Sequence, residues 1–267
     1  MTPQESVQDT KNLPPALSKL VAGYSWQPVT GGRSGTTVFK LQKSDSTDLY
    51  LKMNPCPENA ALFEEKLRLD WIGNRLPVPS VRFFGEDEAR EYLLLSAVPG
   101  VDATDSSLQG QMEQVVGVLA AGLRQIHALP IQNCPFDQRL EHRLEAARTR
   151  LLNGEVDESE FEGENRSRDA AQLYNELLST APESEDLVFT HGDFCLPNII
   201  IHRGAISGFI DWGSAGIADK YQDLALAVRS LRHNFGAAWG PVFLREYGLD
   251  KPDRFKIEFY TLLDEFF

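Results

Sequence analysis

His191-Gly192-Asp193-Phe194-Cys195-Leu196-Pro197-Asn198 sets a carboxylate and a carboxamide five positions apart, in a stretch whose Gly and Pro disfavour regular helix. A loop is expected there. Working outward, Ile199-Ile200-Ile201 and Ile206 to Ile210 flank a turn near Arg203-Gly204, which predicts a buried β-hairpin ending in Asp211. Counting from the turn puts Asn198 and Asp211 at the same open end. An amide oxygen and a carboxylate suit a hard cation such as Mg²⁺ bridging phosphates, and Asp193 suits orienting a hydroxyl and accepting its proton. Taken singly, His-Gly-Asp is a common turn and Asp211-Trp212-Gly213 carries little information. In this order, joined by a hairpin, they form a kinase-like site with Asp193 as base and Asn198 and Asp211 on the metal.

Upstream the chain reads as strands at Gln27 to Val29, Thr37 to Leu41 and Leu49 to Met53, then a helix around Ala60 to Leu76 stopped by Leu76-Pro77-Val78-Pro79. Val81 to Phe84 and Glu91 to Ala97 add two strands before Pro99-Gly100 ends the sheet. After Gly100 the period changes: Met112, Val115, Leu119, Leu123 and Ile126 mark one face of a long helix. Further helices are expected at Arg139 to Leu152, Asp169 to Leu178, Tyr221 to Arg232 and Phe255 to Phe266, with one hairpin among them. The fold class is therefore α+β, with an N-terminal extension over residues 1–20, a small antiparallel-sheet lobe over 21–98 and a larger, mostly helical lobe over 99–267.

A nucleotide half-site belongs in the first lobe. Alternation along Leu49-Tyr50-Leu51-Lys52-Met53 puts the three apolar residues on one face and Tyr50 with Lys52 on the other. Lys52 then reaches phosphates, with Glu65 of the following helix as its partner and Glu64 as the competing choice. The loop Gly31-Gly32-Arg33-Ser34-Gly35-Thr36 brings backbone amides and the Ser34 hydroxyl to the β-phosphate, or is a plain hairpin turn; it is not a Walker loop. Leu93 to Val98 reads as a strand leaving the lobe, where backbone groups at Ser96 and Val98 would pair with adenine while Tyr50 covers a ring face.

With these residues in place the chain resembles the aminoglycoside phosphotransferases, and within them the 3'-phosphotransferases, from about Gly23 to Phe267. The resemblance rests on the Leu49 to Met53 strand, Leu76 to Pro79, His191 to Asn198, Gly208-Phe209-Ile210-Asp211, Ala218-Asp219-Lys220-Tyr221-Gln222-Asp223 and the final Leu262-Leu263-Asp264-Glu265-Phe266-Phe267. It implies a two-lobed protein-kinase-like fold and ATP-dependent phosphorylation of the 3'-hydroxyl of an antibiotic such as kanamycin or neomycin. It also implies Asp193 as acid-base, Asn198 and Asp211 on Mg²⁺, Lys52 with Glu65 on the α- and β-phosphates, and Ser34, Tyr50, Ser96 and Val98 on nucleotide. For the antibiotic it implies Glu160, Glu162, Arg229, Asp264, Glu265 and Phe267. Members often carry Arg shortly after the metal aspartate; this chain has Ser214.

Charge agrees with a cationic substrate. The net charge is −13 and the sequence pI about 4.9, which argues against nucleic acid or an anionic membrane surface as partner. Glu155, Asp157, Glu158, Glu160, Glu162 and Glu164 form an acidic run without Lys or Arg, and Asp264-Glu265 closes a helix whose apolar face is read as Phe255, Phe259, Leu262 and Phe266. The first residues show no basic-then-apolar export pattern, and Cys56, Cys134 and Cys195 lack metal-ligand spacing, so reduced thiols in a cytoplasm are expected. A protein kinase would read His-Arg-Asp and end a long downstream segment in Ala-Pro-Glu; the chain has no His-Arg-Asp, and no Ala-Pro-Glu follows Asp211. Another small-molecule kinase of the same fold, acting on a different cationic or hydroxylated metabolite, is the alternative function. A non-catalytic nucleotide scaffold and a metallohydrolase are disfavoured by the intact acid, amide and acid set.

Overall fold

The computed structural model describes residues 13–29, 35–55, 61–161 and 163–267. Ser34, Glu162 and Cys56 lie outside them. The chain divides into two compact units, Met1–Pro99 and Gly100–Phe267.

The first unit holds α1 (Pro15–Leu20), β1 (Ser25–Val29), β2 (Thr37–Gln42), β3 (Leu49–Pro55), α2 (Ala61–Ile72), β4 (Val81–Glu86) and β5 (Arg90–Ser96). Its strands form one antiparallel sheet in the order β1-β2-β3-β5-β4. Pro28 is tolerated because β1 is an edge strand, where a missing ladder donor costs little. The expected alternation on β3 is seen: Leu49, Leu51 and Met53 are buried with Phe39, Leu41, Tyr92 and Leu94, while Tyr50 and Lys52 are half-buried on the other face. Leu17 of α1, in the segment read from sequence as an extension, packs into the same core. Helix α2 lies on β5, buries Leu62, Glu65, Leu69 and Ile72, and ends in a 3₁₀ turn at Gly73–Arg75 before the two prolines forbid continuation.

The second unit holds β6 (Val101–Asp102), α3 (Met112–His127), α4 (Leu140–Asn153), α5 (Ala170–Ser179), β7 (Leu187–Thr190), β8 (Ile199–His202), β9 (Ala205–Phe209), β10 (Gly216–Asp219), α6 (Lys220–Phe235), α7 (Trp239–Tyr247) and α8 (Arg254–Asp264). Asp169, Asp219 and Asp253 cap α5, α6 and α8, each accepting a first-turn backbone N–H. The β8–β9 hairpin turns at Arg203 and Gly204, both with positive φ as a tight two-residue connection demands. Gly122 of α3 faces that hairpin so closely that a side chain there would collide with Ile206.

Two expectations are corrected. The hairpin is not the second unit's sole strand structure: β6 extends it to three strands, and β7 pairs with β10 in a separate ladder. Those elements run two to four residues, too short for a period to register. Phe255 is 48% exposed, so it does not belong to the buried face of α8. Phe259, Leu262 and Phe266 are buried as expected, joined by Lys256, Tyr260 and Leu263, and Lys256 turns inward to pair with buried Asp219 at 2.7 Å. Among the described residues no helix is long and apolar enough to cross a membrane.

Candidate active site

Asp193 sits in the loop between β7 and β8, and that loop is pinned by α6. Asp223, fully buried, accepts the backbone N–H of His191 at 2.7 Å on one oxygen and that of Gly192 at 2.8 Å on the other. Gln222 Nε2 donates to the Gly192 carbonyl at 3.3 Å, and the Leu196 amide donates to Ser230 Oγ at 3.0 Å. His127 Nε2 donates to Asp223 at 3.0 Å while its Nδ1 meets the Tyr247 hydroxyl at 2.7 Å, so α3 and α7 are tied to the same carboxylate. Burial pushes the Tyr247 phenol up to about 12, and the nearby Asp223 charge adds to the rise.

His191 is also fully buried; its Nε2 donates to the Ile210 carbonyl at 3.0 Å and Nδ1 accepts from the Asp193 amide at 3.3 Å. It therefore shapes the loop and links it to the end of β9. Trp212 is fully buried with its ring 4.4 Å from that imidazole.

Asn198 Nδ2 donates to the Asp193 carboxylate at 2.8 Å and to its backbone carbonyl at 3.0 Å. Both amide protons are thus spent on Asp193, which orients the carboxamide oxygen away from it. The Ile210 amide donates to the Asn198 carbonyl at 2.9 Å, so Asp211 follows one residue beyond the point where the two chain segments meet. Asp211 is exposed and adopts φ 66°, a left-handed conformation that aspartate tolerates better than bulkier residues. The structure thus brings Asp193, Asn198 and the Asp211 backbone to one end of the hairpin.

Gly192 has φ 83°, and a Cβ at that position would drive into the Ser214 carbonyl. Backbone here approaches backbone, and only glycine fits. Gly192→Ala is expected to lower unfolding free energy by about 2–5 kcal/mol, combining left-handed strain with overpacking. Denaturant titration checks this; an unchanged midpoint would show that the loop relaxes freely.

At the C-terminal end, Arg229 of α6 pairs with Asp264 of α8 at 2.5 Å. Burial pushes the Asp264 carboxyl above the usual range; Arg229 pulls it back, and the Asp193 charge raises it further. Asp264 and Arg229 therefore share an electrostatic neighbourhood with Asp193. Cys195 lies in it too, its thiol raised by burial first and then by Asp193. Asn165 reaches Glu265 at 3.4 Å. Glu160 is exposed, in a 3₁₀ turn whose cap is Asp157. A pocket beside that turn is lined by Glu158, Phe161, Arg166 and Arg168 among others, so arginines flank the acidic run.

In the first unit Lys52 Nζ donates to both Glu65 oxygens, at 2.8 and 2.7 Å, and the pair is largely buried. Glu64 turns to Arg68 at 2.7 Å, which resolves the choice left open by the sequence. Ser96 is committed to the chain itself: its amide donates to the Ser80 carbonyl and its hydroxyl accepts from the Ser80 amide, both at 2.9 Å. The Ser96 N–H is therefore not available to pair with a base. Tyr50 and Val98 are half-buried.

The model of the phosphotransferase enzyme family matches residues 25–260. The chain belongs to this family. An aminoglycoside 3'-phosphotransferase of Niallia circulans is 38% identical over 97% of this chain and 99% of its own length. A crystal structure of an aminoglycoside-3'-phosphotransferase of type VIII is similar with a TM-score of 0.86 at 34% identity, covering 94% of this chain and 97% of that one. An aminoglycoside phosphotransferase of Streptomyces rimosus, solved in complex with ADP and streptomycin, is similar with a TM-score of 0.79 at 29% identity, covering 100% and 99%.

Sequence reasoning missed several residues that build the site in this family member. Asp223, Gln222 and Ser230 hold the His191–Asn198 loop, and His127 supports Asp223. The signal was present: Gln222 and Asp223 sit directly before Leu224-Ala225-Leu226-Ala227, and polar residues inside so apolar a run must be satisfied by something buried. Arg143 and Arg150 of α4, which contact the last two residues, gave no such signal.

Proposed function

We infer that this protein is an ATP-dependent aminoglycoside 3'-phosphotransferase, a reaction that gives antibiotic resistance. The observation that carries the reading is the Asp193–Asn198 pair: a carboxylate held by an amide whose oxygen is turned outward, on a loop anchored by buried Asp223. The relatives named for the same reaction support it.

In this reading Asp193 orients the acceptor hydroxyl and takes its proton as the hydroxyl oxygen bonds the γ-phosphorus and the bond from that phosphorus to the β–γ bridging oxygen breaks, releasing ADP. Asn198 and Asp211 would hold the magnesium. The donor set fits: both offer hard oxygens, and two protein ligands would leave the other positions to phosphate and water. Bound Mg²⁺ would neutralise charge on the phosphates. Lys52, held by Glu65, would contact the α- and β-phosphates, and Tyr50 and Val98 the base, with the carbonyl rather than the amide of Ser96. Ser34 is proposed for the phosphates by resemblance alone. The first unit, over residues 21–98, would thus serve the nucleotide, and 99–267 the catalytic loop and the antibiotic.

An aminoglycoside carries several ammonium groups, so Asp264, Glu265 and Phe267, supported by Arg229, with Glu160 and Glu162, would concentrate and orient it. Three widely spaced cysteines without metal-ligand spacing suit a reducing cytoplasm. The test is Mg-ATP turnover against aminoglycosides with and without a 3'-hydroxyl. Phosphorylation is expected only where that hydroxyl is present, and equal turnover of both sets would remove the regiochemical assignment.

A further inference from the structure

We propose that Arg143 and Arg150 of α4 are positioning residues that clamp the last helical turn and thereby set the affinity of the acidic site for its polycationic substrate. The proposal rests on the reading that Asp264 and Glu265 receive the antibiotic's ammonium groups.

Residues 143, 147 and 150 are spaced i, i+4, i+7 and so share one face of α4. Arg150 Nε donates to the Phe266 carbonyl at 2.7 Å. Arg143 lays its guanidinium 3.6 Å from the centre of the Phe267 ring, and Arg150 stands 5.9 Å from the same ring. Phe266 is fully buried against Tyr174, ring centres 6.0 Å apart. Both final residues are therefore gripped, one by its backbone and one by its ring.

Packing alone does not account for Arg143. It is 7% exposed, and among the described residues its Nε has no hydrogen-bond partner. A methionine would fill such a place without the desolvation cost of a guanidinium. What the arginine adds is charge: burial lowers its pKa, while Asp264 and Asp193 oppose that fall. Burial first, and then the like charge of Asp193, raises the Asp264 carboxyl, so the two acids repel one another when no polycation is present. Arg229, Arg143 and Arg150 offset that repulsion and hold the acidic turn in its binding geometry beforehand. A substrate then meets a site already ordered and loses less affinity to ordering it.

The experiment uses the full chain with Arg143→Met, Arg150→Met and their lysine counterparts, each checked by thermal melting. Hydrogen exchange at the amides of Glu265, Phe266 and Phe267 reads the clamp; kanamycin KM against ATP KM and kcat reads its consequence. Each methionine variant is expected to speed exchange and raise kanamycin KM about tenfold, the loss expected for a desolvated cation–ring or charge-assisted contact. ATP KM and kcat should move less than about threefold. Arg150→Lys, which keeps a donor for the Phe266 carbonyl, should recover most of the loss. If Arg143→Met does not fold, Arg150→Met, at a more exposed position, carries the test. Unchanged exchange overturns the clamp, and faster exchange with unchanged kanamycin KM overturns its role in affinity. Deleting Asp264 to Phe267 separates the two readings: an unchanged kanamycin KM there sinks the substrate-site reading itself, whatever the exchange data say of the clamp.

Discussion

Asp193→Asn is expected to reduce kcat for antibiotic phosphorylation by about a thousandfold or more, at the upper end of what a positioned general base contributes. The substitution keeps an oxygen able to accept from Asn198 Nδ2, which now bonds the carboxylate at 2.8 Å, so the loop geometry should survive. What is lost is the group that accepts the hydroxyl's proton. ATP binding should persist, because the nucleotide contacts proposed for Lys52 and Val98 do not involve Asp193.

Stability gives this prediction a second arm. Burial raises the Asp264 carboxyl and the Cys195 thiol most, and the charge of Asp193 adds to both, so two carboxylates are held together at a cost. Removing one charge relieves that repulsion, and the variant should melt no lower than the parent, as when strain at a functional site is released. Single-turnover kinetics with thermal melting decide it. A kcat within tenfold of the parent would end the assignment of Asp193 as base, and a marked fall in melting temperature would show a structural role instead.

How much of this could be read beforehand depended on length and on partners. The β3 alternation, the long α3 period and the β8–β9 hairpin are each long enough, or flanked by a strong enough turn, for their burial to follow from local pattern. The β7–β10 ladder is not, since its register joins residues 187–190 to 216–219 across the whole catalytic hairpin. Helix α7 was missed because Gly240 and Pro241 lie near its start, where proline is in fact tolerated. The acid, amide and acid of the site were legible because their chemistry is rare in combination. The partner of Lys52 was left between Glu64 and Glu65, since adjacent helical residues differ only in direction and the sequence does not state which way α2 rolls. Phe255 failed for the same reason: a buried Lys256–Asp219 pair rotates α8, and burying a lysine runs against the prior that aromatic residues go inward.

The supports of the loop were the least legible part, and Asp223 is the one whose removal should cost most stability. Asp223→Ala strips two buried backbone N–H groups, those of His191 and Gly192, of their acceptor, and leaves His127 Nε2 without its partner. Each orphaned donor costs about 1–3 kcal/mol, so the sum is about 3–5 kcal/mol after relaxation. For a chain of this size that corresponds to a melting temperature lower by on the order of 10 °C. Water cannot easily repair the loss, because Asp223 and His191 are both fully buried and Gly192 is pressed against the Ser214 carbonyl. Asp223→Asn should be nearly as harmful: one of its two acceptors becomes an NH₂ that faces a backbone donor. Both variants should also lose turnover even below their melting temperatures, since the residue they release immediately precedes Asp193. Calorimetry with activity measured at 15 °C distinguishes the outcomes. A parent-like melting temperature for Asp223→Ala would mean that Gln222, Ser230 and the His191–Ile210 bond hold the loop without it. Full turnover in a destabilised variant would confine Asp223 to the fold.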